Sequence, residues 1–146
     1  MSKTRHATGK CLCGAVRFQA NLPSNDIQAC HCNQCQTWTG GGPLYAVRIK
    51  DLELDGKEAI ASYQASDWGE RAFCKTCGTT LYWKLQGRSI AFMAPGLLDD
   101  KTGLELREEI FVDHRPDWLP ARAGAKQCTE AEMKARLNAF LEGQAE

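Results

Sequence analysis

A chain of 146 residues with 43% hydrophobic and 25% charged side chains has the size and composition of one compact water-soluble domain, which excludes a disordered or fibrous chain. Eighteen Lys and Arg balance eighteen Asp and Glu without any basic block, so no surface for tracking phosphates is expected and nucleic acid is excluded as a partner. No apolar run approaches the roughly 20 residues of a membrane span, and the opening Met1-Ser2-Lys3-Thr4-Arg5-His6 lacks the apolar core of a signal peptide, so a cytoplasmic protein without a membrane partner is expected.

Residues 1–8 show no periodicity and are expected to be loose. Beyond them, short runs with alternating apolar positions predict strands with one buried face. In chain order these are Val16 and Phe18; Tyr45, Val47 and Ile49; Leu52 and Leu54; Thr79, Leu81, Trp83 and Leu85; and Ile90 and Phe92. Asp55-Gly56, Gln86-Gly87, Pro95-Gly96 and Asp99-Asp100 supply turn chemistry between them, and Gly40-Gly41-Gly42-Pro43 reads as a flexible hinge. The fold class is therefore mainly β, an antiparallel sandwich or open barrel. One helix is predicted at about 129–142. Thr129 and Glu132 have capping-box spacing, and Met133, Leu137, Phe140 and Leu141 share one face for packing against the sheet. Trp38, Tyr45, Trp68, Trp83 and Trp118 are expected in the core.

Eight cysteines are the informative excess: Cys11 and Cys13; Cys30, Cys32 and Cys35; Cys74 and Cys77; and Cys128 alone. A reducing compartment disfavours disulfides, and three groups with ligand spacing point to metal. Cys74-Lys75-Thr76-Cys77-Gly78 has the spacing of a zinc knuckle, with Gly78 free to take a positive φ. On an extended strand Cys11 and Cys13 would face the same way and Leu12 the other. Two such pairs make a closed tetrahedral site, of the kind that contributes to folding. Cys30-His31-Cys32-Asn33-Gln34-Cys35 can hold a second ion from one short segment, leaving a fourth position open for water or substrate. Spacing equally allows Cys32, Cys35, Cys74 and Cys77 to form the closed site, with Cys11, Cys13 and Cys30 left over. Either partition leaves one closed and one open site.

The runs Cys11-Leu12-Cys13-Gly14-Ala15-Val16-Arg17-Phe18, Cys30-His31-Cys32-Asn33-Gln34-Cys35 with Trp38-Thr39-Gly40-Gly41, and Arg71-Ala72-Phe73-Cys74-Lys75-Thr76-Cys77-Gly78-Thr79-Thr80-Leu81 resemble the glutathione-dependent formaldehyde-activating enzyme family, shared with centromere protein V. Phe111-Val112-Asp113 and Pro116-Asp117-Trp118 look like that family's closing motif. The resemblance implies a β-tent of antiparallel sheets around a structural zinc, with the domain over 9–122 and a tail over 123–146. It implies a structural zinc on Cys11, Cys13, Cys74 and Cys77, a catalytic zinc on Cys30, Cys32 and Cys35, and carbon–sulfur lyase chemistry on adducts of a small thiol such as glutathione with an aldehyde.

The pattern departs at Gln36 and Thr37, where the family often carries basic residues. Seven thiolates against two zinc ions also take the formal charge from zero to about −3. Weak selectivity for the carboxylates of glutathione is therefore expected. His31 is expected to be packed or to support the neighbouring ligands, His114 to lie at the surface, and Cys128 to be a free thiol near the final helix. Two other classes of function are open to such a chain: a non-catalytic zinc ribbon that binds a protein, its second site closed by a fourth ligand, and a thiol redox or metal-storage role.

Overall fold

The structure is a computed structural model and describes residues 4–143. Its elements run β1 (Arg5–Lys10), β2 (Arg17–Leu22), β3 (Asp26–Cys30), α1 (Asn33–Thr39), β4 (Leu44–Asp55), β5 (Ile60–Tyr63), β6 (Gly69–Cys74), β7 (Thr80–Leu85), β8 (Ala91–Met93), β9 (Glu105–Ile110), β10 (Lys126–Cys128) and α2 (Glu130–Gly143). The mainly β class and the C-terminal helix are as expected. No helix among the described residues is long and apolar enough to cross a membrane. The elements fall into two compact units interleaved along the chain, residues 4–25 with 46–104, and residues 26–45 with 105–143. Residues 123–143 fall in the second unit.

In the first unit the strands run in the order β1-β2-β4-β8-β7-β6-β5, each pair antiparallel. β1 pairs with β2 from Arg5↔Leu22 to Lys10↔Arg17, so the loose segment expected over 1–8 gives way to a strand at Arg5; residues 1–3 lie outside the described residues. Its inward positions are Ala7 and Gly9, too small to show as hydrophobic alternation. Gly9 has to be small, because a Cβ there would lie 2.3 Å from the Leu97 carbonyl and 2.5 Å from the Phe18 ring.

The two strands expected at 45–49 and 52–54 are one strand, β4. Asp51 takes φ 55° within it, and the β2–β4 register shifts between Gln19 and Asn21. The extra residue moves the inward phase from odd positions, Val47 and Ile49, to even ones, Leu52 and Leu54. Asn21 Nδ2 donates to Asp51 Oδ2 at 3.0 Å and secures the bulge. Val16, Ala59, Ala72 and Leu81 form the core cluster with Cys11 and Cys74, flanked by Leu54, Ile60 and Leu97. Burying Leu81 alone contributes about 1.5–3 kcal/mol.

The aromatic residues depart from expectation, since none of the five is buried. Tyr45, Trp68 and Trp118 are exposed, and Trp38 and Trp83 are half-buried. Trp83 lies over Gly69, the ring within 2.6 Å of where a Cβ would stand, and meets Trp68 edge-on at 5.7 Å.

The second unit pairs its strands in parallel, unlike the antiparallel arrangement expected throughout. β9 lies between β3 and β10, with Ala29↔Glu109 on one side and Gln127↔Glu109 on the other. α2 begins where predicted, because Thr129 and Glu132 form the capping box: Thr129 N–H donates to Glu132 Oε1 at 2.8 Å, and Glu132 N–H donates back to Thr129 Oγ1 at 3.3 Å. Its apolar stripe, Met133, Leu137, Phe140 and Leu141, is half-buried.

Candidate metal centres

In the first unit, β1 and β6 each run into a tight turn that carries two thiols. Cys11 N–H bonds to Val16 O at 3.0 Å, and Gly14 N–H, with Gly14 at φ 80°, bonds back to Cys11 O at 3.1 Å. The second turn repeats the plan. Cys74 N–H bonds to Thr79 O at 2.9 Å, and Gly78 N–H, also at φ 80°, bonds to Cys74 O at 2.7 Å. The extended strand expected at Cys11-Leu12-Cys13 is therefore a turn, although Leu12 does point away and is 88% exposed. The sulfurs of Cys11, Cys13, Cys74 and Cys77 all lie within 4.8 Å of one another. Cys11 to Cys13 is 3.7 Å and Cys13 to Cys74 is 3.8 Å. The edge of a sulfur tetrahedron around zinc is about 3.8 Å for bonds of about 2.3 Å, so the donor set fits that ion.

Hydrogen bonds already favour negative charge on this group. The Val16 N–H donates to Cys11 Sγ at 3.3 Å. The Thr79 hydroxyl, 3.1 Å from Cys77 Sγ, and the Thr79 backbone hold the Cys77 thiol down to about 5. A backbone bond from Ala15 favours the Cys13 thiolate, but burial and the neighbouring sulfurs outweigh it and push Cys13 up to about 11. A divalent cation bound there would favour the thiolate form of its ligands.

In the second unit, β3 ends at Cys30, and Cys32 is the N-cap of α1, its sulfur accepting the Cys35 N–H at 3.3 Å. The sulfurs of Cys30, Cys32 and Cys35 lie within 4.8 Å of one another, and no fourth side chain of ligand type joins the group among the described residues. Hydrogen bonding and charge from Cys32 and Cys35, with burial, push the Cys30 thiol strongly up. Both groups can hold a metal ion. The alternative grouping of Cys74 and Cys77 with Cys32 and Cys35 is not the one the turns produce.

Residues 6–114 match the family described as glutathione-dependent formaldehyde-activating enzyme. A Halomonas elongata protein provisionally named as such an enzyme is 31% identical over 88% of this chain and 94% of its own. The chain belongs to this family. An uncharacterised lyase of Schizosaccharomyces pombe is 28% identical over 75% of this chain and 80% of its own length. A crystal structure of a Rhodobacter sphaeroides protein, 22% identical, superposes with a TM-score of 0.57 over 84% of this chain and 99% of that one, which shows a shared fold.

The surroundings of the three-thiol group in this family member are set by His31, packed as its position between two thiols led one to expect, and by Glu109, which the sequence did not single out. His31 is buried, 1% exposed, with Nε2 2.7 Å from Glu109 Oε1 on the neighbouring strand β9 and with Nδ1 unpartnered. Burial opposes the charge on Glu109. Gln127 Nε2 at 2.9 Å, the Arg122 N–H at 2.7 Å, His31 and Arg115 Nη2 at 3.4 Å nonetheless hold its carboxyl at about 2. No spacing or charge pattern distinguishes Glu109 from Glu108 in the sequence.

Gln36, singled out for the charge it lacks, uses its amide to donate to the carbonyls of His31 and His114, both at 2.8 Å. Gly40 is the left-handed cap of α1, its N–H bonded to Gln36 O, so the expected glycine hinge is a helix terminus. His114 is half-buried and bonds Glu130 Oε1 at 2.7 Å, while Asp113 Oδ1 accepts the Glu130 N–H at 3.0 Å. These three residues cluster closely, but Lys134 pairs with Glu130 at 2.7 Å, and the group anchors the start of α2. Cys128 is buried, its thiol directed to Glu108 Oε2 at 3.4 Å.

Proposed function

We propose that the protein is a cytoplasmic zinc enzyme of the carbon–sulfur lyase type, acting on adducts between a small thiol, glutathione or a relative of it, and an aldehyde. The observation that carries this reading is the convergence of three thiols, Cys30, Cys32 and Cys35, without a fourth ligand-type side chain among the described residues, in a chain whose family is named for glutathione-dependent activation of formaldehyde. Cys11, Cys13, Cys74 and Cys77 would hold a structural zinc, and the three-thiol group a second ion. A zinc bound there supplies a Lewis acid that favours the thiolate form of an incoming thiol at neutral pH.

The chain's own part is to hold the three sulfurs in place. The Cys35 N–H fixes Cys32 Sγ, Gln36 ties α1 to the His31 carbonyl, and His31 is locked against Glu109. In the lyase direction the carbon–sulfur bond of the adduct breaks. Its electron pair returns to sulfur and the hydroxyl proton leaves, giving aldehyde and thiol. The uncharged Gln36, turned to backbone carbonyls, offers nothing to a substrate carboxylate.

Calorimetry of the zinc-loaded protein with glutathione and with β-mercaptoethanol tests the reading. Both thiols are expected to bind only when zinc is present, glutathione by no more than about 0.2–1 kcal/mol the tighter. Binding of either thiol to protein that lacks the second zinc but keeps the first would refute thiolate ligation. A second zinc that is present but binds no thiol would favour a ribbon that recognises protein.

A further inference from the structure

We propose that Gln127, acting through Glu109 and His31, positions Cys30 and Cys32, so that strand β10, beyond the family-matched residues 6–114, sets the metal affinity of the three-thiol group. The proposal rests on reading that group as a metal site and adds its positioning residues.

His31 stands between two of the three thiols in the chain and cannot shift without carrying both. It is held at three points. Its N–H donates to Ile110 O at 3.0 Å, its carbonyl accepts from Gln36 Nε2 at 2.8 Å, and its Nε2 lies 2.7 Å from Glu109 Oε1. The last contact alone engages the ring, which is fully enclosed. A carboxylate only accepts, so it fixes the proton on Nε2 and with it the tautomer and ring orientation. Outer groups of this kind commonly tune a metal site as strongly as the ligands' own geometry does.

Glu109 can serve only if its second oxygen is also satisfied, because a buried carboxylate with spare lone pairs is costly. That oxygen takes the Arg122 N–H and Gln127 Nε2. Gln127 is itself oriented by Arg115, whose Nη2 donates to Gln127 Oε1. The register of the parallel pair places Gln127 directly opposite Glu109 and Ala29 opposite it on the other side, so a slip of one residue would bring Lys126 or Cys128 to that position. The thiol loop on β3 is thus braced through β9 by an exposed residue of β10.

Cobalt(II) titration of the full chain, read by thiolate-to-cobalt charge-transfer and d–d absorption under chelator competition, tests the proposal. Wild type should show a tight class from the four-thiol group and a weaker class from the three-thiol group. Gln127→Ala should weaken the weaker class about threefold, the loss of one hydrogen bond. Glu109→Gln should weaken it about tenfold and shift its d–d bands. The tight class should not move in either variant, which also reports that the fold is intact. An unmoved weaker class in Gln127→Ala overturns the proposal even if Glu109→Gln fails to fold. A single class in wild type would instead overturn the metal-site reading beneath it.

Discussion

In the first unit, four thiols come from two turns, with Cys13 and Cys74 standing 61 residues apart; in the second, three come from one run of six residues. The first group is part of a hydrophobic cluster with Val16, Ala72 and Leu81, so ligands and core cannot be separated, and an ion there would tie the two turns together. The second group is carried by a strand end and a helix of seven residues and is held by hydrogen bonds to Glu109 and Gln36. Ligands drawn from distant segments make metal binding and folding one event. Ligands from a single segment leave the fold standing when the ion goes.

The sharpest way to break this comparison is to remove one thiol from each group. Cys77→Ser should abolish cooperative unfolding, since structural zinc is worth on the order of 10 kcal/mol. Cys32→Ser should leave the circular dichroism spectrum and melting transition nearly unchanged while elemental analysis falls from two zinc per chain to one. Equal unfolding of both variants would end the distinction. Graded chelation should sharpen it further, with the first zinc lost at no cost in secondary structure and the second lost together with the fold.

Smaller effects should sort by unit. Gly56 takes φ 84°, and a Cβ on it would lie 1.9 Å from the carbonyl of Ala15, in the turn that carries Cys11 and Cys13. Gly56→Ala should therefore cost about 1–3 kcal/mol in urea unfolding and lower the affinity of the four-thiol group alone. Thr129→Ala removes the cap of α2 and should cost about 1 kcal/mol, with zinc content unchanged. Zinc loss in that last variant would mean that α2 supports a metal centre directly.

How much was legible in the sequence follows from the same contrast. β2 and β7 lie in an antiparallel sheet whose alternation and turns are written locally, and they could be read; β8 was placed, but Ala91 and Met93 rather than Phe92 are its buried positions. β4 was split in two because the bulge at Asp51 changes the phase of its alternation. β1 presents only Ala7 and Gly9 inward, and β9 buries a charged residue, so neither carries an apolar signature. Parallel pairing leaves no local mark at all. The cysteine groups were visible, but which of them converge depended on two turns closing in three dimensions. Glu109 and Gln127 acquire their role from register between strands far apart in the chain.

Interleaving of the two units also has a consequence in time. His31 precedes Glu109 by 78 residues, and the intervening stretch forms most of the other unit. At synthesis rates of about 5–20 residues per second, about 4–16 s separate the emergence of the thiol loop from that of the strand that braces it. Through that interval Cys30, Cys32 and Cys35 are three neighbouring thiols on an unfinished chain, open to oxidant and to any soft metal ion. The strand that braces the loop arrives last.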